Sequence, residues 1–239
     1  MAAPRTDRIV VLSGAGLSAA SGVPTFRGEG GWWRGHQATE LATPEAFARD
    51  PELVLDFYAM RREVVDGVQP NAGHRALVAL QEALGPERVS LVTQNVDGLI
   101  QASAAADGAA IPEVFEMHGT LWRVRCSRNP GHPIVEVGAD RGARGSCVSC
   151  GAALRPHIVW FGEMPQHMDT IAGLLSRATL FVSVGTSGVV YPAAGFCQLA
   201  RRVGAWCVEV NPDPTGGAFD EVIVEGAESA LPRLVAEWT

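Results

Sequence analysis

His118 stands just after an apolar run, Val114 to Met117, and just before Gly119. An imidazole with an ordinary pKa of about 6.5 can take a proton at neutral pH, which suits a general base. A core histidine bonded to backbone would look the same in sequence. Two more polar sets follow apolar runs: Gln94-Asn95-Val96-Asp97, which could equally be turn formers, and Gly185-Thr186-Ser187. The first apolar run, Ile9 to Leu12, ends in Ser13-Gly14-Ala15-Gly16, and Leu17 to Ala20 reads as a helix start. Strand, glycine turn and helix N-terminus together can hold a pyrophosphate, because glycines admit the backbone while free N–H groups and the helix dipole face the anion. Tyr58 and Arg61, in LDFYAMRR, lie three apart and so share a helix face. An aromatic packing residue beside a solvated arginine is the plainer reading of that pair. Cys147-x-x-Cys150 is a zinc half-site that wants a matching pair upstream, where Cys126 is the only cysteine. Either His132 or another nearby group completes a tetrahedron, or the segment folds without metal.

Such residues need a scaffold that presents strand ends. Ile9–Leu12, Arg88–Thr93, Val114–Met117, Leu180–Val184, Trp206–Val210 and Glu221–Val224 read as strands, being short, apolar and bounded by turn residues. Thr43-Pro44-Glu45 and Asp50-Pro51-Glu52 each place a capping residue before a proline at the first helical position. The second opens a helix to about Val65, with Leu53, Phe57 and Met60 inward. Asn71 caps another that carries His74, Leu77, Val78 and Leu80; His74 reads as a structural or surface histidine. Met168–Arg177 and Ala193–Val203 are the later helices. Alternating strands and helices predict an α/β fold with a doubly wound, mostly parallel, Rossmann-like sheet and the reacting groups at the carboxyl ends of its strands.

Leu121 to Pro156, rich in Gly, Arg and Cys, breaks that rhythm and reads as a small zinc-ribbon-like insert. The expected division of residues 1–239 is a large part (1–35, 71–120 and 157–239) and a small part (helical 36–70, and 121–156). Gly28 to Gly35 reads as a surface loop with one tryptophan tucked into the core.

Composition narrows the chemistry. The 239 residues are 47% hydrophobic and 19% charged, enough for a sizeable core and against wholesale disorder. A formal charge of -7 argues against nucleic acid as the main partner. All 19 basic residues are arginine, which excludes a Walker-type phosphate loop, a Schiff-base lysine and a lysine general base. The uncharged stretch Ala178–Ala200 contains Gly185, Gly188, Pro192 and Gly195, so it reads as strand, turn and helix rather than a membrane span. The polar start shows no secretory h-region, and five cysteines, three of them clustered, suit a reducing cytoplasm. The absence of coiled-coil heptads and of an obvious apolar interface helix favours a monomer.

The stretch GAGLSAASGVPTFR, Gly14 to Arg27, resembles the signature of the sirtuins, NAD-dependent protein deacylases. Thr93–Asp97, His118-Gly119, Val159–Glu163, Gly185–Ser187 and Val210-Asn211 follow in that family's order. The resemblance implies NAD as co-substrate, held by Gly14, Ala15, Gly16, Ser18, Ala19, Pro24, Thr25, Phe26, Arg27, Trp33, Gln94, Asn95, Val96, Asp97, His118, Gly185, Thr186, Ser187, Asn211, Pro212, Asp213 and Ala227. Gly28–Gly35 would belong to the cofactor-binding loop. Asn95 and Asp97 would line the nicotinamide pocket, with Asn95 and His118 catalytic. In sirtuins the acyl-lysine carbonyl oxygen attacks C1′ of the nicotinamide ribose and expels nicotinamide, the histidine deprotonates a ribose hydroxyl that attacks the resulting imidate, and water releases lysine and O-acyl-ADP-ribose. Acylated lysine in an extended protein segment would lie between Val159, Trp160, Phe161, Gly162 and Glu163 on one side and a Gly188–Val190 strand, with Val189, on the other.

Tyr58-x-x-Arg61 resembles the pair by which class III sirtuins hold an acidic acyl group, and Ala38 falls where that class keeps a small residue. A buried succinyl or malonyl carboxylate is costly unless paired, and arginine can grip it bidentately. In the cysteine segment, Asn129 stands where many sirtuins have a second cysteine beside Cys126, so Cys126, Cys147 and Cys150 make an incomplete set for structural Zn²⁺. A nicotinamide-dependent oxidoreductase, a mono-ADP-ribosyltransferase and a non-catalytic NAD-binding module remain as alternatives. The first lacks an acidic ribose-binding residue after its second strand.

Overall fold

The computed structural model describes residues 6–24, 32–138 and 144–239. The chain begins with β1 (Ile9–Ser13), the single-turn α1 (Gly16–Ala19), a small hairpin of β2 (Trp32–Trp33) and β3 (His36–Gln37), and helices α2 (Ala38–Leu41), α3 (Pro44–Arg49), α4 (Pro51–Asp66) and α5 (Ala72–Leu84). Then come β4 (Val89–Thr93), α6 (Leu99–Asp107), β5 (Val114–Glu116), β6 (Gly119–Cys126), β7 (Val135–Glu136) and β8 (Leu154–Ile158). The last stretch holds α7 (Met168–Leu175), β9 (Leu180–Val184), α8 (Phe196–Arg202), β10 (Trp206–Val210), β11 (Glu221–Ile223) and α9 (Ala227–Trp238).

Six strands form one parallel sheet in the order β11-β10-β9-β1-β4-β5. The chain winds from β1 through β4 to β5, then crosses to build β9, β10 and β11 on the other side. The order therefore reverses beside β1, and a crevice opens past the carboxyl ends of β1 and β9. Strand alternation sorts the core. Ile9, Val11, Leu91, Val182 and Val208 pack under α5 and α9, while Val10, Leu12, Val92, Phe181 and Cys207 pack under α7 and α8. Each fully buried Leu, Val, Ile or Phe contributes on the order of 1.5–3 kcal/mol, so the sheet gains its rigidity from both faces.

The insert is built on an antiparallel sheet, β7-β6-β8, that shares a third core with the helices between β3 and α5. Phe47, Val54, Phe57, Tyr58, Leu121, Ile158 and Trp160 meet there. The two helix starts behave as their sequences dictate: Thr43 and Asp50 accept the amides of Ala46 and Leu53, each just before a proline. Among the described residues no helix is long and apolar enough to cross a membrane, and Ala178–Ala200 is indeed strand, turn and helix.

Two expectations need correction. α1 is one turn long, and the Gly14 and Gly16 amides are spent on Val184 O and Gly185 O, both at 2.9 Å, so they do not point freely at an anion. Gly188–Val190 is no strand but an irregular loop, in which Gly188 has φ +65°.

Candidate active site

The crevice floor is made by two turns that interlock. A Cβ at Gly16 would stand 2.6 Å from Gly185 Cα, and one at Gly185, whose φ is +56°, 2.6 Å from Gly16 Cα. Only glycine lets the two backbones touch, and this contact fixes the spacing of the β1 and β9 strand ends. Ala15, half-buried, and Ala19, exposed, border the same turn, and Pro24 is exposed at the edge of the described segment. Thr25, Phe26 and Arg27 lie outside the described residues, as do Gly28 to Gly31.

A buried polar hub sits beside that floor. Asn71 N–H donates to His74 Nδ1 at 3.1 Å, so neutral His74 carries its proton on Nε2 and gives it to Ser18 Oγ at 3.2 Å. Burial pushes the His74 pKa down to about 4, which keeps that neutral form at physiological pH. Ser18 Oγ in turn donates to Asp97 Oδ2 at 2.7 Å and accepts from Asn95 Nδ2 at 3.1 Å. Leu99 N–H donates to Asp97 Oδ1 at 3.0 Å and the Trp122 indole to Asp97 O at 2.7 Å. Burial raises the Asp97 carboxyl above its ordinary value, opposed by Leu99, Ser18 and the Arg61 charge. Ser18, Asn95 and Asp97 are thus brought together with defined hydrogen-bond polarity. Sequence reading missed the hub's source, although the spacing Asn71-x-x-His74 is that of a capping box and could have revealed it.

His118 follows β5. Its Nδ1 lies 3.0 Å from the Gln94 carbonyl, which can only accept, so Nδ1 carries the proton and Nε2 keeps a lone pair. Burial lowers the pKa of His118, partly offset by that hydrogen bond. Gln94 also lines a cavity of about 160 Å³ with Ser183, Thr186, Gly188 and Thr215. Asn211 donates to Thr186 O at 2.8 Å and accepts from Asp213 N at 3.3 Å, so the β9 and β10 ends are tied together beside exposed Ser187 and Pro212. Val96 is buried behind Asp97. Ala227 is buried at the start of α9, against Gly73.

On the insert side, Val159 N–H donates to His118 O and Phe161 N–H to Ala42 O, both at 2.9 Å, which fixes the turn around Gly162. Phe161 and Val189 remain about half exposed, apolar groups flanking the crevice where a partner segment could cover them. Tyr58 and Arg61 are buried on one face of α4, with exposures of 1% and 7%, and Ala38 is buried in the same core. Burial pushes the Tyr58 pKa up to about 12 and lowers that of Arg61, which Tyr58 and Asp97 oppose electrostatically. The arginine of this pair is therefore buried, not solvated. Trp33, partly buried, packs its ring 5.7 Å from Phe57, against the helical core.

Cys126, His132, Cys147 and Cys150 place their ligand atoms within 4.8 Å of one another. Cys126 Sγ lies 3.5 Å from Cys150 Sγ, and His132 Nδ1 lies 3.3 Å from Cys147 Sγ. Tetrahedral Zn²⁺ with bonds of about 2.0–2.3 Å has ligand–ligand edges of about 3.3–3.8 Å, so the donor set fits that metal in type and spacing. The geometry favours His132 as the fourth donor, and Asn129 Nδ2 stands 3.2 Å from its other ring nitrogen.

A crevice of this kind, at the strand ends of a doubly wound sheet where the order reverses, is that of a nucleotide-binding α/β protein. The chain belongs to the Sir2 family, whose model matches residues 14–192. It is 45% identical over 234 residues to the NAD-dependent protein deacylase of Salmonella typhimurium, covering 95% of this chain and 82% of that one. With the NAD-dependent protein deacylase of Vibrio cholerae it shares 43% over 235 residues, with 96% and 92% covered. Among solved structures, a Sir2 homolog–NAD complex is similar with a TM-score of 0.85 and 38% identity, over 97% of this chain and 89% of the other. A Sir2 homologue mutant in complex with 2′-O-acetyl ADP ribose matches equally well in both, over 97% and 91%.

Proposed function

We propose that the chain is an NAD-dependent protein lysine deacylase that removes succinyl and malonyl groups, and acetyl as well, from lysine side chains of proteins. The relatives' names and family membership support NAD-dependent deacylation; the buried Tyr58–Arg61 pair is the observation that carries the acidic-acyl preference. A guanidinium and a phenol on one buried helix face can grip a ligand carboxylate together, the arginine bidentately and the phenol as a further donor. Interlocked turns, hydroxyls at the β9 end and the fixed polarity of Ser18, Asn95 and Asp97 fit a dinucleotide with a carboxamide at one end.

NAD would supply the electrophilic ribose carbon and nicotinamide as the leaving group. The chain's own residues orient and protect. Asn95 and Asp97 present a donor and an acceptor to the carboxamide. His118 takes a ribose hydroxyl proton on Nε2, its Nδ1 held by Gln94. The turn Val159–Glu163 and the loop Gly188–Val190 receive the peptide between them. Zn²⁺, held by Cys126, His132, Cys147 and Cys150, would be structural and would brace the insert that carries β6 and β8. The division into a large part (1–35, 71–120, 157–239) and a small part (36–70, 121–156) then puts the acyl pocket on the small part's helices. We place the enzyme in the cytoplasm as a monomer.

The test is Arg61→Met, which removes the carboxylate's cationic partner and keeps the volume. Expected is a fall in kcat/KM of about 100-fold for a succinyl-lysine peptide, with a far smaller change for the acetyl-lysine peptide. Equal losses on both peptides would defeat the acidic-acyl reading.

A further inference from the structure

Trp160 donates its indole N–H to Tyr58 Oη at 2.9 Å, across 102 residues of sequence. An indole is a donor only, so Tyr58 must accept. Its lone pair is engaged, and the phenolic hydrogen finds no acceptor among the described residues. A phenol held in this sense presents a donor to whatever enters beside Arg61. We infer that Trp160 is a specificity-determining residue: by fixing Tyr58 as a donor, it selects acyl groups ending in an acceptor such as a carboxylate, and Arg155 is the positioning residue that holds Trp160. The inference rests on the acidic-acyl reading given above.

The indole is gripped from several sides. The Arg155 guanidinium stacks on it, with Cζ 3.2 Å from the ring centroid, and Phe47 lies 5.3 Å away, centroid to centroid. Glu163 anchors the arginine: its carboxylate accepts Arg155 Nη1 at 2.6 Å and Nη2 at 3.0 Å, a bidentate pair. The same carboxylate accepts Trp160 N–H at 2.9 Å and Arg125 Nη2 at 3.3 Å. Arg155 Nη2 also donates to Ile158 O at 2.9 Å. Backbone and ring of Trp160 are thus fixed by one ion pair, buried on its arginine side, and the planar fork of arginine suits both jobs where lysine would suit only the charge. The chain of contacts runs Glu163, Arg155, Trp160, Tyr58, and ends at the acyl group.

The test is a double-mutant cycle on the intact enzyme with NAD, reading the ratio of kcat/KM for succinyl-lysine to that for acetyl-lysine peptide. Trp160→Phe keeps an aromatic ring and removes the donor; Tyr58→Phe removes the hydroxyl. Each is expected to lower the ratio about tenfold, chiefly through KM for the succinyl peptide, and the double variant to lower it no further. Arg155→Lys, the second arm should Trp160→Phe fail to fold, is expected to lower the ratio about threefold and to do nothing more in the Tyr58→Phe background. Losses that multiply, or an unchanged ratio in Trp160→Phe or Arg155→Lys while Tyr58→Phe lowers it, would overturn the inference alone. An unchanged ratio in Tyr58→Phe as well would bring down the acidic-acyl reading and this inference with it.

Discussion

At the scale of residues, the role proposed for His118 as the base depends on which ring nitrogen keeps its lone pair. Gln94 O accepts the hydrogen bond from Nδ1–H, and burial lowers the pKa from its ordinary value of 6.5. A base works only when deprotonated, so activity should be retained as pH falls to neutrality and lost below it. The acid limb of kcat/KM, measured from pH 5 to 8 with a saturating-NAD deacylation assay, is expected to have its midpoint below about 6.5. A midpoint at 7 or above would contradict this placement of the proton. The placing of His118 and the Asn95–Asp97 set was legible in sequence because residues just past an apolar strand fall at the carboxyl edge of a parallel sheet. The hub beneath them was not: Ser18 reaches Asp97 across 79 residues and His74 across 56, and local patterns carry no record of such contacts. Arg61 looked solvated for a similar reason, since helix spacing gives the face but not what lies opposite.

At the scale of elements, the floor of the crevice rests on glycine rather than on a helix dipole. The sequence suggested an anion site at the start of a helix, but α1 has a single turn and its neighbouring amides close the contact with β9. Gly185→Ala would drive a Cβ into the Gly16 backbone at a φ of +56°. It is expected to cost about 1–3 kcal/mol of stability and to weaken NAD binding more than acyl-peptide binding. Urea unfolding and NAD titration by calorimetry would show it; wild-type NAD affinity in the variant would refute the role given to that turn. The parallel strands and capped helices were readable because composition and caps are local signals. β6 and β8 were not, because antiparallel pairing of Arg125 with Arg155 joins distant segments through a cysteine-rich stretch without strand alternation. α9 carries Ala230, Leu231, Leu234, Val235 and Trp238 on its buried face, a helical spacing that Pro232 inside it obscured.

At the scale of the whole molecule, two cores sandwich the parallel sheet and a third belongs to the helices and insert. Metal should therefore matter locally. Protein purified without chelator is expected to hold about one Zn²⁺ per chain, and His132→Ala to lose it. Hydrogen exchange should then quicken in β6 and β8 while β1, β4 and β9 stay protected; a metal-free wild type, or zinc retained by His132→Ala, would contradict the four-donor site. The architecture was visible in the sequence because alternating strands and helices admit few topologies, whereas the fourth zinc donor was left open because a loop of glycine and proline does not announce where His132 turns. The most direct measurement gives the purified protein NAD and three matched peptides, carrying acetyl-, succinyl- and unmodified lysine, and follows peptide, nicotinamide and O-acyl-ADP-ribose by mass spectrometry. Succinyl removal faster than acetyl removal, with nicotinamide released in step and none from the unmodified peptide, is the expected result. Nicotinamide release that ignores the acyl group, or acetyl removal alone, would contradict it.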